Sequence, residues 1–154
     1  MAIAREKTFG CTVIAPAGKL LDCRATAVTF PAYDGQVGVL FNHTPMFCLL
    51  GLGIMKVRAV TSDKYTVAGE TDLFLLIDGG FALIASNTVT IIAYDAISAH
   101  DTKPGKLSSV IEKAARDLSS PTLTRRQRLH DTERLAQLHK LSRLPQSAPS
   151  AEAS

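Results

Sequence analysis

The chain has no run approaching the ~18 consecutive apolar residues that a membrane helix needs, and no basic start leading into an uninterrupted apolar segment. The expectation is a soluble protein that is not exported. Its three cysteines, Cys11, Cys23 and Cys48, are odd in number and lack C-x-x-C spacing. That supports neither a zinc site nor a disulfide framework, and thiols set within apolar or alternating runs fit a reducing cytosol. The short Gly51-Leu52-Gly53 is no dinucleotide fingerprint, because a strand-like run from Ile54 to Val60 follows it instead of a helix. It reads as a turn. Asn42-His43-Thr44 matches a glycosylation sequon, but without a secretion signal it meets no glycosylation machinery.

What is present supports one good core, or a small domain with an appendage: 154 residues, 46% of them hydrophobic. The net charge of +3 is unevenly spread. Residues 1–100 carry seven Lys or Arg against eight Asp or Glu, whereas residues 101–154 carry ten against six. A basic second half attracts acidic protein, nucleic acid or anionic lipid. The arginines there have no neighbouring aromatic on which a base would stack, so nucleic acid is not the expected partner.

From Thr8 to Asp95, short runs rich in Val, Ile, Leu, Thr and Phe are broken at Pro16-Ala17-Gly18, Asp34-Gly35, Gly51 to Gly53, Ser62-Asp63, Asp78-Gly79-Gly80 and Ser86-Asn87. Closely spaced strands joined by tight turns predict a β-sandwich or flattened barrel, since a parallel sheet would need long helical crossovers. Phe74 to Ile84 reads as a hairpin turning on its glycines. After Ser98 the period changes to that of a helix. Leu107, Val110, Ile111, Ala114 and Leu118 form one stripe, with Glu112 and Arg116 spaced to pair outside it. Ser120 as N-cap and Pro121 at the first helical position predict a second helix, with Leu129, Leu135, Ala136, Leu138 and Leu141 on its stripe. The short connection predicts an antiparallel helical hairpin. The expected organisation is a β-sandwich over 1–98, a helical hairpin over 99–144 entered through a hinge at Asp101 to Gly105, and a disordered tail over 145–154.

His43 is the residue that catalysis would choose first, since histidine titrates near neutrality. It lacks a convincing nucleophile or orienting carboxylate, with Thr44 and Asp34 the nearest in sequence, and reads better as a turn or contact residue. The alternative reading is a small β-barrel enzyme or ligand-binder using His43 and Asp34 in an internal pocket.

Three ordered blocks carry a family resemblance: VIAPAGKLLDC at Val13 to Cys23, PAYDGQVGVLFNHTP at Pro31 to Pro45, and FLLIDGGFALI at Phe74 to Ile84. In order and spacing, over roughly Thr8 to Ile92, the chain resembles the epsilon subunit of F-type ATP synthases, a rotor-stalk protein. The resemblance implies a non-catalytic subunit that holds the foot of gamma to the membrane ring of c subunits, peripheral on the cytoplasmic face of a bacterial inner membrane. It implies Gln36, Val39 and His43 at the contact edge and Cys48 facing gamma. It also implies that the helices restrain hydrolysis by meeting acidic surface on the catalytic beta subunits, with Arg125, Arg126, Arg128 and Arg134 as the brake, since arginine stays charged and binds carboxylates bidentately. The sequence has Phe41-Asn42-His43 where the family commonly has Pro-Gly-His, and Gln36 where glutamate is frequent. Some members bind ATP through I/L-D-x-x-R-A, but Ile111 to Arg116 departs from it with Glu112 for the aspartate and the arginine one residue late, so no nucleotide site or other cofactor is expected.

Overall fold

A computed structural model describes residues 7–62, 70–99 and 106–144. The expected hinge at Asp101 to Gly105, Asp63 and the tail from Pro145 lie outside the described residues. Seven strands come first: β1 (Phe9–Ala15), β2 (Gly18–Ala32), β3 (Gly35–Leu40), β4 (Met46–Ser62), β5 (Thr71–Ala85), β6 (Thr88–Ala93) and β7 (Ala96–Ser98). Two helices follow, α1 (Lys106–Leu118) and α2 (Arg125–Arg143). This is the expected β-sandwich followed by a helical hairpin.

The strands pair in the order β1-β6-β5-β4-β2-β3, and β1 also pairs with β2, so the sheet rolls up and closes into a flattened barrel. All pairings are antiparallel except β1 with β6. Closure hides the polar edges that an open sheet would leave. The core inside holds Phe9, Leu21, Phe30, Met55, Ile84 and Ile91, all buried. Each such side chain contributes about 1.5–3 kcal/mol.

Two expected turns are instead bends within long strands. Phe74 to Ile84 is no hairpin: β5 runs through it, paired with β4 on both sides of Gly79-Gly80. Likewise Gly51 to Gly53 lies within β4, with Leu50 opposite Gly80 and Leu52 opposite Asp78. Gly79 and Gly80 have φ of 74° and 122°, and a Cβ on Gly80 would lie 2.1 Å from the Ile92 carbonyl oxygen. Opposite, a Cβ on Gly51 would lie 2.9 Å from the Ala32 carbonyl oxygen. Glycine in a strand marks a bend or a close backbone approach. Both functions apply here, and the doubled-over β4–β5 ribbon contributes one half to each layer of the sandwich.

Burial along β5 records the consequence. Leu73 to Ile77 are all buried, whereas from Ala82 to Ala85 buried and more open residues alternate. In the first half, Phe74 and Leu76 point outward but are covered by Leu107 of α1 and by Leu138 and Leu141 of α2, with Leu52 and Ile54 packed alongside. The helix stripes meet here. Leu129 and Ala136 do not join them: both are exposed, because α2 touches the sandwich only along its Leu138–Leu141 side. The second helix also starts later than its serine-proline signal. Thr124 is the N-cap; its hydroxyl accepts from the Gln127 amide while the Gln127 side chain accepts from the Thr124 amide. That reciprocal box satisfies two otherwise orphaned donors, and Ser120-Pro121 is left in the connecting turn.

Gly80→Ala is expected to destabilise the sandwich by about 2–3 kcal/mol through clash and backbone strain. Urea unfolding measures it, and a midpoint indistinguishable from that of the parent chain would contradict the bend's role.

Candidate functional site

The second half of the β4–β5 ribbon also turns apolar side chains outward, its outward positions switching from even to odd residue numbers across the bend, yet no element of the described chain covers it. Phe47 and Leu49 on β4 stand opposite Leu83 and Phe81 on β5; Phe81 stands opposite Ile92 on β6, and Ile92 opposite Ile14 on β1. These residues share one outer face. Phe47 is 64% exposed, and Leu49, Leu83 and Ile92 are each exposed by about half. Phe47 and Phe81 stack with ring centroids 5.7 Å apart, and Phe81 meets the edge of Tyr94 at 5.7 Å. The rings brace one another into a fixed relief. Contiguous exposed apolar surfaces of this kind are a common feature of protein interaction sites.

The alternation that creates this face sends Cys48 the other way. It packs against the core, and burial raises its thiol above the ordinary range, helped by Asp34. The placement that the resemblance implied for Cys48, facing a partner, is therefore not what β4 delivers. Val39 departs in the same way: it is 2% exposed, in the core, because β3 turns odd residues inward. Its neighbour Leu40, 65% exposed, holds the outward position.

Gln36 is exposed on β3, and His43 is half-buried in the loop after it. The His43 amide donates to the Leu40 carbonyl, and its Nδ1 lies 2.7 Å from the Thr44 carbonyl oxygen, which requires the proton on Nδ1. No hydrogen bond or ion pair joins His43 to Asp34 among the described residues. The loop is tied instead to the β5–β6 turn: the Asn42 amide donates to Asn87 Oδ1, and Asn87 Nδ2 donates to Asn42 Oδ1. Both asparagines have positive φ, 63° and 54°, a conformation this residue tolerates better than most. Cross-linked tips give this end a defined shape.

The four candidate arginines divide. Arg125 and Arg126 are exposed in the first turn of α2, where no acidic residue offsets them. Arg128 donates to the Leu118 and Ser120 carbonyls, holding the end of α1. Arg134 reaches the sandwich, donating from Nη2 to Asp95 at 2.6 Å. His130, which the sequence reading passed over, joins it there with Nε2 2.9 Å from Asp78 Oδ1. Its spacing from Arg134 was legible as one helix face, but nothing local links it to an aspartate 52 residues away.

With the geometry in place, comparison with known proteins is decisive for the family. Residues 8–99 match the model of the ATP synthase delta/epsilon chain β-sandwich domain. The chain belongs to that family. Its relatives are epsilon chains: it is 31% identical to the chloroplastic ATP synthase epsilon chain of Pisum sativum over 112 residues, 73% of this chain and 75% of that one. It is 36% identical to the Euglena gracilis chloroplastic epsilon chain over 89 residues, 58% and 61% of the two chains. The fold is similar to a chain in the Euglena gracilis mitochondrial ATP synthase OSCP/F1/c-ring structure (TM-score 0.57, 23% identity, 86% of this chain and 78% of that one). It is also similar to one in the central stalk and c-ring structure of the Tetrahymena thermophila enzyme (TM-score 0.54, 16% identity, 85% and 93%). The chain is thus an F-type ATP synthase epsilon subunit. No described helix is long and apolar enough to cross a membrane.

Sorting core from exposed residues gives a direct check on β3 of this epsilon subunit. Val39→Ala should lower the unfolding free energy by about 1–3 kcal/mol, and Leu40→Ser should leave it within about 0.5 kcal/mol. Thermal or urea unfolding of both variants reads this, and the reverse order would refute the assignment.

Proposed function

We propose that this epsilon subunit is a non-catalytic rotor element of the central stalk, clamping the foot of gamma to the membrane ring so that torque passes without slippage. The observation that carries this reading is the braced apolar face of Phe47, Leu49, Phe81, Leu83 and Ile92. One half of the β4–β5 ribbon is sealed by the chain's own helices, and among the described residues nothing covers the other half. Gamma is assigned to the bare half. The ring of c subunits is assigned to the end bearing Gln36, Leu40 and His43, where the Asn42–Asn87 cross-link holds the tip. The protein is peripheral to the membrane through these partners.

Rigidity serves the role. A closed, close-packed sandwich resists shear, and the two long bent strands run unbroken from the helix-covered layer to the bare one.

The helical hairpin is the proposed brake on hydrolysis, through acidic surface on the beta subunits. Three arginines and no acid occupy the first turn of α2, adding to the positive end of the helix dipole. An acidic partner would relieve that repulsion. In the docked arrangement Arg125 and Arg126 are available for it, while Arg128 and Arg134 are engaged within the chain.

Tagging the chain in its native host and solubilising membranes gently should recover gamma, catalytic and ring subunits in stoichiometric amount. Phe47→Ser with Leu83→Ser, both at exposed positions, should keep the fold and reduce gamma recovery at least about tenfold, as loss of central interface anchors does. Recovery of the parent chain alone would overturn the reading. Full gamma recovery with the double variant would remove the apolar face from it.

A further inference from the structure

Where α2 crosses the bend in β5, two cations meet two anions. Asp78 immediately precedes the Gly79-Gly80 bend, and its amide donates to the Asp95 carbonyl at 2.9 Å, so the two aspartates sit together beneath the helix. From α2, Arg134 spans both: its Nη2 bonds Asp95 Oδ2 at 2.6 Å, and its Nε lies 3.5 Å from Asp78 Oδ2, an ion pair without a hydrogen bond. One turn earlier on the helix, His130 places Nε2 2.9 Å from Asp78 Oδ1 and Nδ1 3.3 Å from Asp131 Oδ1.

The histidine geometry specifies a protonation state. A neutral imidazole has one N–H and one lone pair, so either tautomer would turn a lone pair toward a carboxylate oxygen. Only the imidazolium donates to both. We propose that His130, with Arg134, forms a proton-dependent clasp on Asp78 and Asp95 that holds the C-terminal helix pair against the sandwich.

The groups facing His130 are Asp78 from β5 and, on its own helix, Asp131 and Arg134; Asp95 acts through Arg134. The hydrogen bond to Asp78 raises the imidazole above its ordinary 6.5; partial burial opposes this, and Asp131 adds to the rise. The sign follows from linkage. A group whose docked pKa lies above its free value contributes fully below the free value and is lost as pH rises through the docked one. Alkaline pH therefore loosens the helix pair, and mildly acidic pH seats it. The apolar contact of Leu107, Leu138 and Leu141 with Phe74 and Leu76 remains in both states, so the clasp biases an existing docking rather than creating it.

The clasp is a property of the isolated chain. Its bearing on rotor braking rests on the function proposed above, and an experiment on the purified full-length chain separates the two. NMR titration of the four histidines, with His130→Gln to assign its signal, should show His130 titrating above its ordinary 6.5. Hydrogen exchange of α1 and α2, corrected for intrinsic base catalysis, should show protection falling about two- to fivefold across that titration, the scale of a part-exposed ion pair. Sandwich amides should not change. His130→Gln and Asp78→Asn should each abolish the pH dependence. Equal pH dependence in parent and His130→Gln, or titration of His130 at or below its ordinary 6.5, would overturn the proposal, whatever the chain's partners prove to be.

Discussion

The bend shared by β4 and β5 is the constraint on which the rest depends. Two long strands can serve both layers of the sandwich only if the ribbon folds over, and Gly79-Gly80 opposite Gly51 makes this sterically possible. From that one bend come the closed sheet, the division of the outer surface into two halves, and the placing of Asp78 under the second helix. A side chain at Gly80 would collide with the neighbouring strand's carbonyl. Geometry there is decided by backbone contact, and side-chain packing follows.

The two halves of the outer surface then take different roles from nearly identical chemistry. Both are apolar; one is covered within the chain, and the other is uncovered by any described element and is the face proposed for gamma. The internal completion is modest: a small cluster centred on Leu107, Leu138 and Leu141, together with a few charged contacts. Elements held by few buried contacts open at lower cost than the core they sit on. This difference in cohesion is what the proposed function requires of a sandwich that clamps and a helix pair that brakes.

Much of this was legible in the sequence, and the reasons for the remainder are physical. The turns at Pro16-Ala17-Gly18, Asp34-Gly35 and Ser86-Asn87 fall where turn chemistry put them, and the stripe from Leu107 to Leu118 is a helix packed as its period required. Asp78-Gly79-Gly80 misled because it satisfies the local needs of a hairpin, while β5 continues through it as a bend paired with β4 and β6, a pairing no local signal at the glycines reveals. Alternation could not distinguish the FLLI run at 74–77, covered by the chain's own helices, from the FALI run at 81–84, which is not. It also could not fix parity in the loop-flanked β3, where Val39 is inside and Leu40 outside. The His130–Asp78 contact had no sequence signal, because tertiary docking alone brings the two together.

The central claim is that the bare half of the β4–β5 face is buried by a partner in the working complex. Carbene footprinting compares it directly in the isolated chain and in the membrane-derived assembly. The account predicts that Phe47, Leu49 and Tyr94 label heavily in the isolated chain and are protected in the assembly, while exposed Arg58 on the opposite layer labels similarly in both. Equal labelling of the aromatic face in the two preparations would contradict it.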